Sequence, residues 1–303
     1  MGAGHRMYPE PIDTNQKIAV VGATGFIGSA VFRLLSNRNK NVHPFSRNSP
    51  LDFENLDLLR QFTHVIWCAT GVNPQISATN QRANEIELEY WVRFLQMASQ
   101  LSKFGRQLRV VFLSSGGCVY PEGSPPFDET VSGEPLNNYG KLKKEMEEMA
   151  IQSDIDLKIL RLANVYGPGQ KVGVGQGVIA EWVYRILRDL PIEIYGSLDS
   201  GRDFVFVDDA ARAICQVLDS GGSRIFNIGG GKSVELETIL KYICEIADKQ
   251  PNLQFTKKRS VDRTNYWLNS ELANTELHWH PQVSLHQGIG LAISYEMLSL
   301  NLQ

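Results

Sequence analysis

Apolar and polar positions along this chain follow two alternating periods. Ile18 to Val21 is an unbroken apolar run that stops at Gly22, the pattern of a strand buried on both faces. From Phe26 the period changes, and Phe26, Ile27, Ala30, Val31, Leu34 and Leu35 recur at helical spacing. The exchange repeats downstream. Residues 42–45 predict a second short strand, 54–61 a helix and 64–69 a third strand. Residues 80–104 predict a long helix carrying Ile86, Leu88, Tyr90, Trp91, Phe94, Leu95 and Met97 on its faces. A buried strand over 108–114, a charged amphipathic helix over 138–152 and a strand over 157–162 complete the series. This order predicts an α/β fold around a doubly wound parallel sheet, with ligands at the carboxyl ends of the strands. After about residue 163 the rhythm breaks at GPGQKVGVGQG (167–177), and helix, short strand and helix follow. The chain therefore divides into a polar tail (1–16), a parallel-sheet domain (17–163) and a smaller C-terminal lobe (164–303). That lobe is interleaved with the last elements of the sheet.

The turn between the first strand and first helix holds glycines at 22, 25 and 28, in the stretch GATGFIG. Gly22 permits the tight turn, Gly25 lets backbone approach a pyrophosphate, and Gly28 lets the helix pack closely on the strand. Free N–H groups at the helix start would then face a diphosphate, favoured by the helix dipole. Gly22, Thr24, Gly25, Phe26, Ile27 and Gly28, with Ala69 at the end of the third strand, are the candidate dinucleotide contacts. At the end of the second strand a carboxylate selects NAD, by holding the ribose 2′-hydroxyl, whereas an arginine accommodates the 2′-phosphate of NADP. The chain reads PFSRNS there, with Ser46 and Arg47 and no acid. NADP is the expected cofactor and NAD the alternative.

Composition changes the picture only by exclusion. The chain has 303 residues and a formal charge of −3, so no nucleic-acid or membrane-surface field is expected. Cys68, Cys118, Cys215 and Cys244 show no paired spacing, which argues against a zinc site or a disulfide framework. No apolar run is long enough to span a bilayer, and residues 1–16 lack a signal-peptide core. A cytoplasmic protein is expected.

The candidate chemistry lies in Tyr139-Gly-Lys-Leu-Lys143. Residues i and i+4 share a helix face, so Lys143 can sit beneath the Tyr139 hydroxyl and favour its phenolate. That suits proton exchange between a carbinol and a carbonyl. The strand end SSGGCVYP lies before this helix, and Ser114 and Ser115 can hydrogen-bond a substrate oxygen there or merely close the strand.

GATGFIG (22–28), SSGGCVYP (114–121), YGKLK (139–143), RLANVYGPG (161–169), GRDFVFVDD (201–209) and FNIGGG (226–231) stand in order along the chain. Together they resemble the extended short-chain dehydrogenase/reductase family, in its nucleotide-sugar epimerase, reductase and dehydratase group. The resemblance covers roughly residues 17–295. It implies a Rossmann domain, a nicotinamide dinucleotide, and hydride exchange with a hexose carbon of a nucleoside diphosphate sugar. It also implies a homodimer through helices 80–104 and 138–152. Tyr139 and Lys143 match the family's catalytic pair. The Ser or Thr that the family uses three residues before Val-Tyr is Gly116 here, which leaves Cys118 first and Ser115 second as the opposing donor. Cys118 is similar to a cysteine of the reductase-epimerase that completes GDP-fucose synthesis, but the histidine of that enzyme falls near Gly177. The Asp-Glu pair of the dehydratases is replaced by Gly117 and Cys118. Asn164, Tyr195, Arg202, Arg259 and Asp262 match substrate-binding positions: diphosphate, base, phosphate, and nucleotide phosphates and ribose. The main expectation is an NADPH-dependent 4-keto-sugar reductase. The alternatives are an NAD-dependent nucleotide-sugar 4-epimerase and a non-catalytic dinucleotide-binding regulatory protein.

Overall fold

The computed structural model describes residues 16–38, 40–257 and 265–300. Nearly all of the polar tail, together with Arg259 and Asp262, lies outside these residues. Six parallel strands form the central sheet: β1 (Lys17–Val21), β2 (Asn41–Phe45), β3 (His64–Trp67), β4 (Arg109–Ser115), β5 (Asp156–Leu162) and β6 (Ile225–Ile228). Their order is β6-β5-β4-β3-β1-β2. The order reverses beside β1, so the crevice between the carboxyl ends of β1 and β3 is the topological switch point. Gly22 closes one side of that crevice and Ala69 the other, and the Cys68 N–H donates to the Val21 carbonyl across it at 2.9 Å.

Strand periodicity sends alternate residues to opposite faces, and both faces are covered. Ile18, Val20, Val111, Leu113 and Leu160 pack with helix α1 (Phe26–Asn37) and with residues of the C-terminal lobe. Ala19, Val21, Val110, Phe112 and Ile159 pack on the other side. There they meet α2 (Gln81–Lys103) and α3 (Asn138–Gln152), through Trp91, Phe94, Leu142 and Met146. Strands buried on both faces need continuous apolar sequence, as β1 and β4 have. β2 is the exposed edge, so it tolerates Pro44, which has no N–H to give a further strand.

Two local elements differ from the sequence expectation. Residues 54–61 hold only one helical turn, Leu56–Leu59, whose Leu58 N–H donates to the Asn55 side chain at 2.9 Å. The chain then straightens because Phe62 is buried against His43 and Phe45. Conversely, Pro74–Thr79 is helical, opened by Asn73, whose Oδ1 accepts from the Ile76 N–H at 2.8 Å, with Pro74 in the first turn.

The lobe after β5 contributes β6 to the main sheet and α4 (Val207–Gln216), which packs on α1. Three small two-stranded sheets lie outside the main one. One pairs Ile192–Tyr195 with Leu253–Thr256, another pairs Asn164–Tyr166 with Phe204–Phe206. Among the described residues no helix is long and apolar enough to cross a membrane, and no cluster of three His, Cys, Asp or Glu is placed to hold a metal.

Trp91 joins α2, α3 and the sheet. Its ring lies 4.6 Å from Phe112 and 5.1 Å from Trp67, and its Nε1–H donates to the Met146 carbonyl at 2.9 Å. It is fully buried. Trp91→Ala should therefore cost about 3–5 kcal/mol in urea unfolding, the usual range for a large aromatic removed from a packed core. A loss below about 1 kcal/mol would mean that α2 and α3 are held to the sheet by something other than this ring.

Candidate active site

The first wall of the site is the glycine turn after β1. Gly22 has φ +89°, open to glycine, and a Cβ there would stand 2.7 Å from the Ala69 nitrogen. At Gly28 a Cβ would meet the Gly22 carbonyl oxygen at 2.1 Å, so only glycine lets α1 start this close to β1. Helix α1 begins after Gly25 with no side-chain cap and no acid in its first turn. Its first N–H groups therefore have neither an intrahelical acceptor nor a side-chain cap, the arrangement that suits a pyrophosphate. These features fit a dinucleotide, with Thr24 and Gly25 exposed and Phe26 and Ile27 half-buried around the turn. Ser46 and Arg47 follow β2 in a tight reversal, with the Ser46 N–H donating to the Ser49 carbonyl at 2.9 Å. Arg47 is exposed and makes no ion pair among the described residues.

The second wall is the end of β4 with the start of α3. Asn137 caps α3 by accepting from the Gly140 N–H at 2.8 Å. A Cβ on Gly140 would lie 2.1 Å from the Cys118 carbonyl oxygen, so this glycine brings the helix against the turn Gly116–Val119. Tyr139 and Lys143 then share a face, the Lys143 Nζ lying 5.8 Å from the Tyr139 ring centre and 5.2 Å from that of Phe112. Lys143 is buried, which lowers its ammonium pKa, while Glu87 and Glu147 raise it. Burial raises the Tyr139 phenol pKa, and Cys118 and Glu87 push it the same way. The direction is opposite to the phenolate expected from the i, i+4 lysine. Desolvation of the phenolate outweighs the ammonium, which has carboxylates of its own to face.

Gly116, where the resemblance calls for a hydroxyl, is closed off: a Cβ there would lie 2.5 Å from Leu268 Cδ1 and 3.1 Å from the Arg161 carbonyl oxygen. At Gly117 a Cβ would meet the Tyr266 hydroxyl at 2.6 Å. Cys118 is half-buried and close enough to act electrostatically on Tyr139, and Ser115 is half-buried at the β4 end. Ser114, one residue earlier, has its hydroxyl buried with no hydrogen-bond partner among the described residues.

The lobe supplies the third wall. The Asn164 amide donates to the Asp203 carbonyl at 2.8 Å and to the Tyr266 hydroxyl at 2.9 Å. Arg202 is half-buried and donates to the Gly201 carbonyl at 2.9 Å. The acids beside it are occupied elsewhere. The Asp203 carboxylate accepts from the Gly230 N–H at 2.6 Å and the Leu268 N–H at 3.0 Å, and Asp208 pairs with Arg33 at 2.5 Å. Burial pushes the Asp203 carboxyl up to about 7, against those backbone donors. Tyr195 lies on the outward face of its strand while Ile192 and Ile194 fill the core, and its hydroxyl donates to Glu193 at 2.6 Å.

Two residues of the site escaped the sequence reading. Tyr266 stands beside Gly117 and Asn164 only because a distant segment returns there, and nothing local marks it. Glu87 had a signal. It shares the stripe of Asn84, Trp91, Phe94, Ala98 and Leu101 on α2, an acid on a buried helix face.

Comparison with known proteins agrees with this geometry. The profile of the NAD dependent epimerase/dehydratase family matches residues 18–229. A dTDP-4-dehydro-6-deoxyglucose reductase from Escherichia coli is 34% identical over 187 residues, 60% of this chain and 59% of that protein. The chain thus spans less than two thirds of that relative in the match. A UDP-glucose 4-epimerase from Thermotoga maritima, solved with UDP-glucose, has a TM-score of 0.84 at 27% identity, covering 94% of this chain and 100% of its own. A UDP-glucose 4-epimerase from Thermus thermophilus, solved with NAD, has a TM-score of 0.80 at 26% identity, covering 93% and 99%. With the switch-point crevice, the glycine cradle and the matched profile all in place, the chain belongs to the NAD dependent epimerase/dehydratase family, in the nucleotide-sugar group of the extended short-chain dehydrogenases.

Proposed function

We propose that the chain is an NADPH-dependent reductase that converts the 4-keto group of a nucleoside diphosphate sugar to a hydroxyl. The observation that carries this reading is the half-buried Tyr139 phenol on the face of α3 that carries Lys143, its pKa raised by burial. A reduction consumes a proton, and this phenol is a proton donor. The 34% identity to the E. coli reductase supports the same direction. The bound dinucleotide would supply the hydride, and the protein placement and the proton. Tyr139 would donate its phenolic proton to the carbonyl oxygen of the sugar, and the phenolate would regain a proton from solvent. Cys118, then Ser115, is the donor that orients the sugar oxygen from the other side. Arg202, free of carboxylates among the described residues, would clamp the diphosphate with its fork of donors. Tyr195 would lie against the base, and Asn164 near the diphosphate. Arg47 would receive the 2′-phosphate.

A second reading is supported by the coverage of the two UDP-glucose 4-epimerases, 94% and 93% of this chain. It is an epimerase that retains NAD and oxidises and re-reduces one carbon. Net consumption of one NADPH per sugar supports the reductase, and interconversion without net consumption supports the epimerase. We further propose a homodimer through α2 and α3, whose outward groove is lined by Val92, Gln96, Ser99 and Met149. Light scattering would read its mass.

Four variants test the assignment. Tyr139→Phe should bind dinucleotide normally while turnover of dTDP-4-dehydro-6-deoxyglucose falls by about 10²–10⁴-fold, and Lys143→Ala should impair both; native turnover in the phenylalanine variant would sink the mechanism. Arg47→Ala should weaken NADPH roughly tenfold or more with NADH little changed. Equal losses for the two cofactors, or a native preference for NADH, would remove NADP. Arg202→Ala should raise the KM for the sugar nucleotide and leave dinucleotide affinity intact, as calorimetry would report; the reverse pattern would assign the arginine to the wrong ligand.

A further inference from the structure

Glu87 stands on α2 between the buried Asn84 and Trp91, and its own side chain is only 10% exposed. Its two oxygens do different things. Oε2 accepts from the Gly71 N–H at 2.7 Å, fixing the loop that follows β3. Oε1 is buried with no hydrogen-bond partner among the described residues, and stands 3.8 Å from the Lys143 Nζ. Such a carboxylate is strongly unfavourable unless it faces a cation.

The groups facing Lys143 are Glu87 from α2, Glu147 and Tyr139 from its own helix, and the Phe112 ring from β4. Cys118 and Glu87 act on Tyr139. Glu147 is engaged elsewhere, since both its oxygens accept from Arg161, the closest contact being 2.7 Å. Glu87 is therefore the carboxylate near Lys143 that no arginine shares among the described residues. An ammonium beneath a tyrosine favours the phenolate, and a carboxylate on that ammonium cancels the effect. The two charge states suit opposite chemistry. Taking a proton from a carbinol, the first act of an epimerase, needs a phenolate. Reducing a carbonyl needs a phenol.

We propose that Glu87 is a positioning residue that sets the charge state of the catalytic pair, by compensating the Lys143 charge and so keeping Tyr139 a proton donor. The inference rests on the reductase reading of the site. Glu87→Gln keeps the size of the side chain and an acceptor for Gly71 while removing the charge. The first measurement needs no sugar. Phenolate absorbance is titrated in the NADP⁺-loaded protein and compared with Tyr139→Phe, in both the native and the Glu87→Gln backgrounds. Tyr139 should titrate lower by about one pH unit or more in the Gln variant. The second measurement is the pH profile of NADPH consumption on dTDP-4-dehydro-6-deoxyglucose. Its alkaline limb should move down by the same amount.

An unmoved phenol titration in a folded Glu87→Gln protein overturns the proposal. If that variant does not fold, Glu87→Asp carries the test. Its charge is withdrawn from the ammonium, so the limb should move the same way by less, and an unmoved limb overturns the proposal. A shifted titration without turnover of the keto sugar overturns the reductase reading and leaves the hold of Glu87 on Lys143 standing. Turnover with an unmoved titration does the opposite.

Discussion

Four charges buried between α2, α3 and β5 hold the site together. On α3 the row Tyr139, Lys143, Glu147 advances four residues at a time, so one helix face carries the phenol, a cation and an anion. Glu87 meets the cation from α2, and Arg161 meets the anion from β5. The charges alternate, and removing any one leaves an uncompensated partner in a medium of low dielectric. The orientation of Tyr139 therefore depends on both neighbours of its helix. Arg161 extends the chain, because its Nη1–H donates to the Tyr120 hydroxyl at 3.1 Å, which donates in turn to Asn227 of β6 at 2.6 Å.

Around this charged row the backbone is brought unusually close at a few glycines. Gly28 sets α1 against β1, and Gly140 sets α3 against Cys118. The first contact leaves free N–H groups over the crevice; the second brings the phenol to the strand end. A dinucleotide laid along the crevice would run from one to the other, which is why two motifs far apart in the chain make one site.

The lobe is joined to the sheet by Asp203, whose carboxylate ties the glycines after β6 to the strand-like segment ending at Leu268. That tie places Leu268 over Gly116 and Tyr266 over Gly117. The space a serine or threonine side chain would need at residue 116 is thus filled by the lobe itself. The same arrangement leaves Arg202, next to Asp203, without an acidic partner among the described residues.

Periodicity and spacing alone determined much of this protein. The apolar runs of β1 and β4, the glycine spacing of the first turn and the i, i+4 pair Tyr139–Lys143 are local patterns whose structural result follows from strand and helix geometry. The same alternation, with right-handed crossovers, leaves only a few strand orders. Three matters were decided by tertiary structure. The single turn at Leu56–Leu59 is short because Phe62 has a place to fill on β2, which no local propensity encodes. The closure of Gly116 depends on Leu268, brought there from the far end of the chain. The upward shift of the Tyr139 phenol comes from burial first and from Cys118 and Glu87 after it, because a charge acts through space and desolvation depends on what covers the group, and neither can be read from the order of residues.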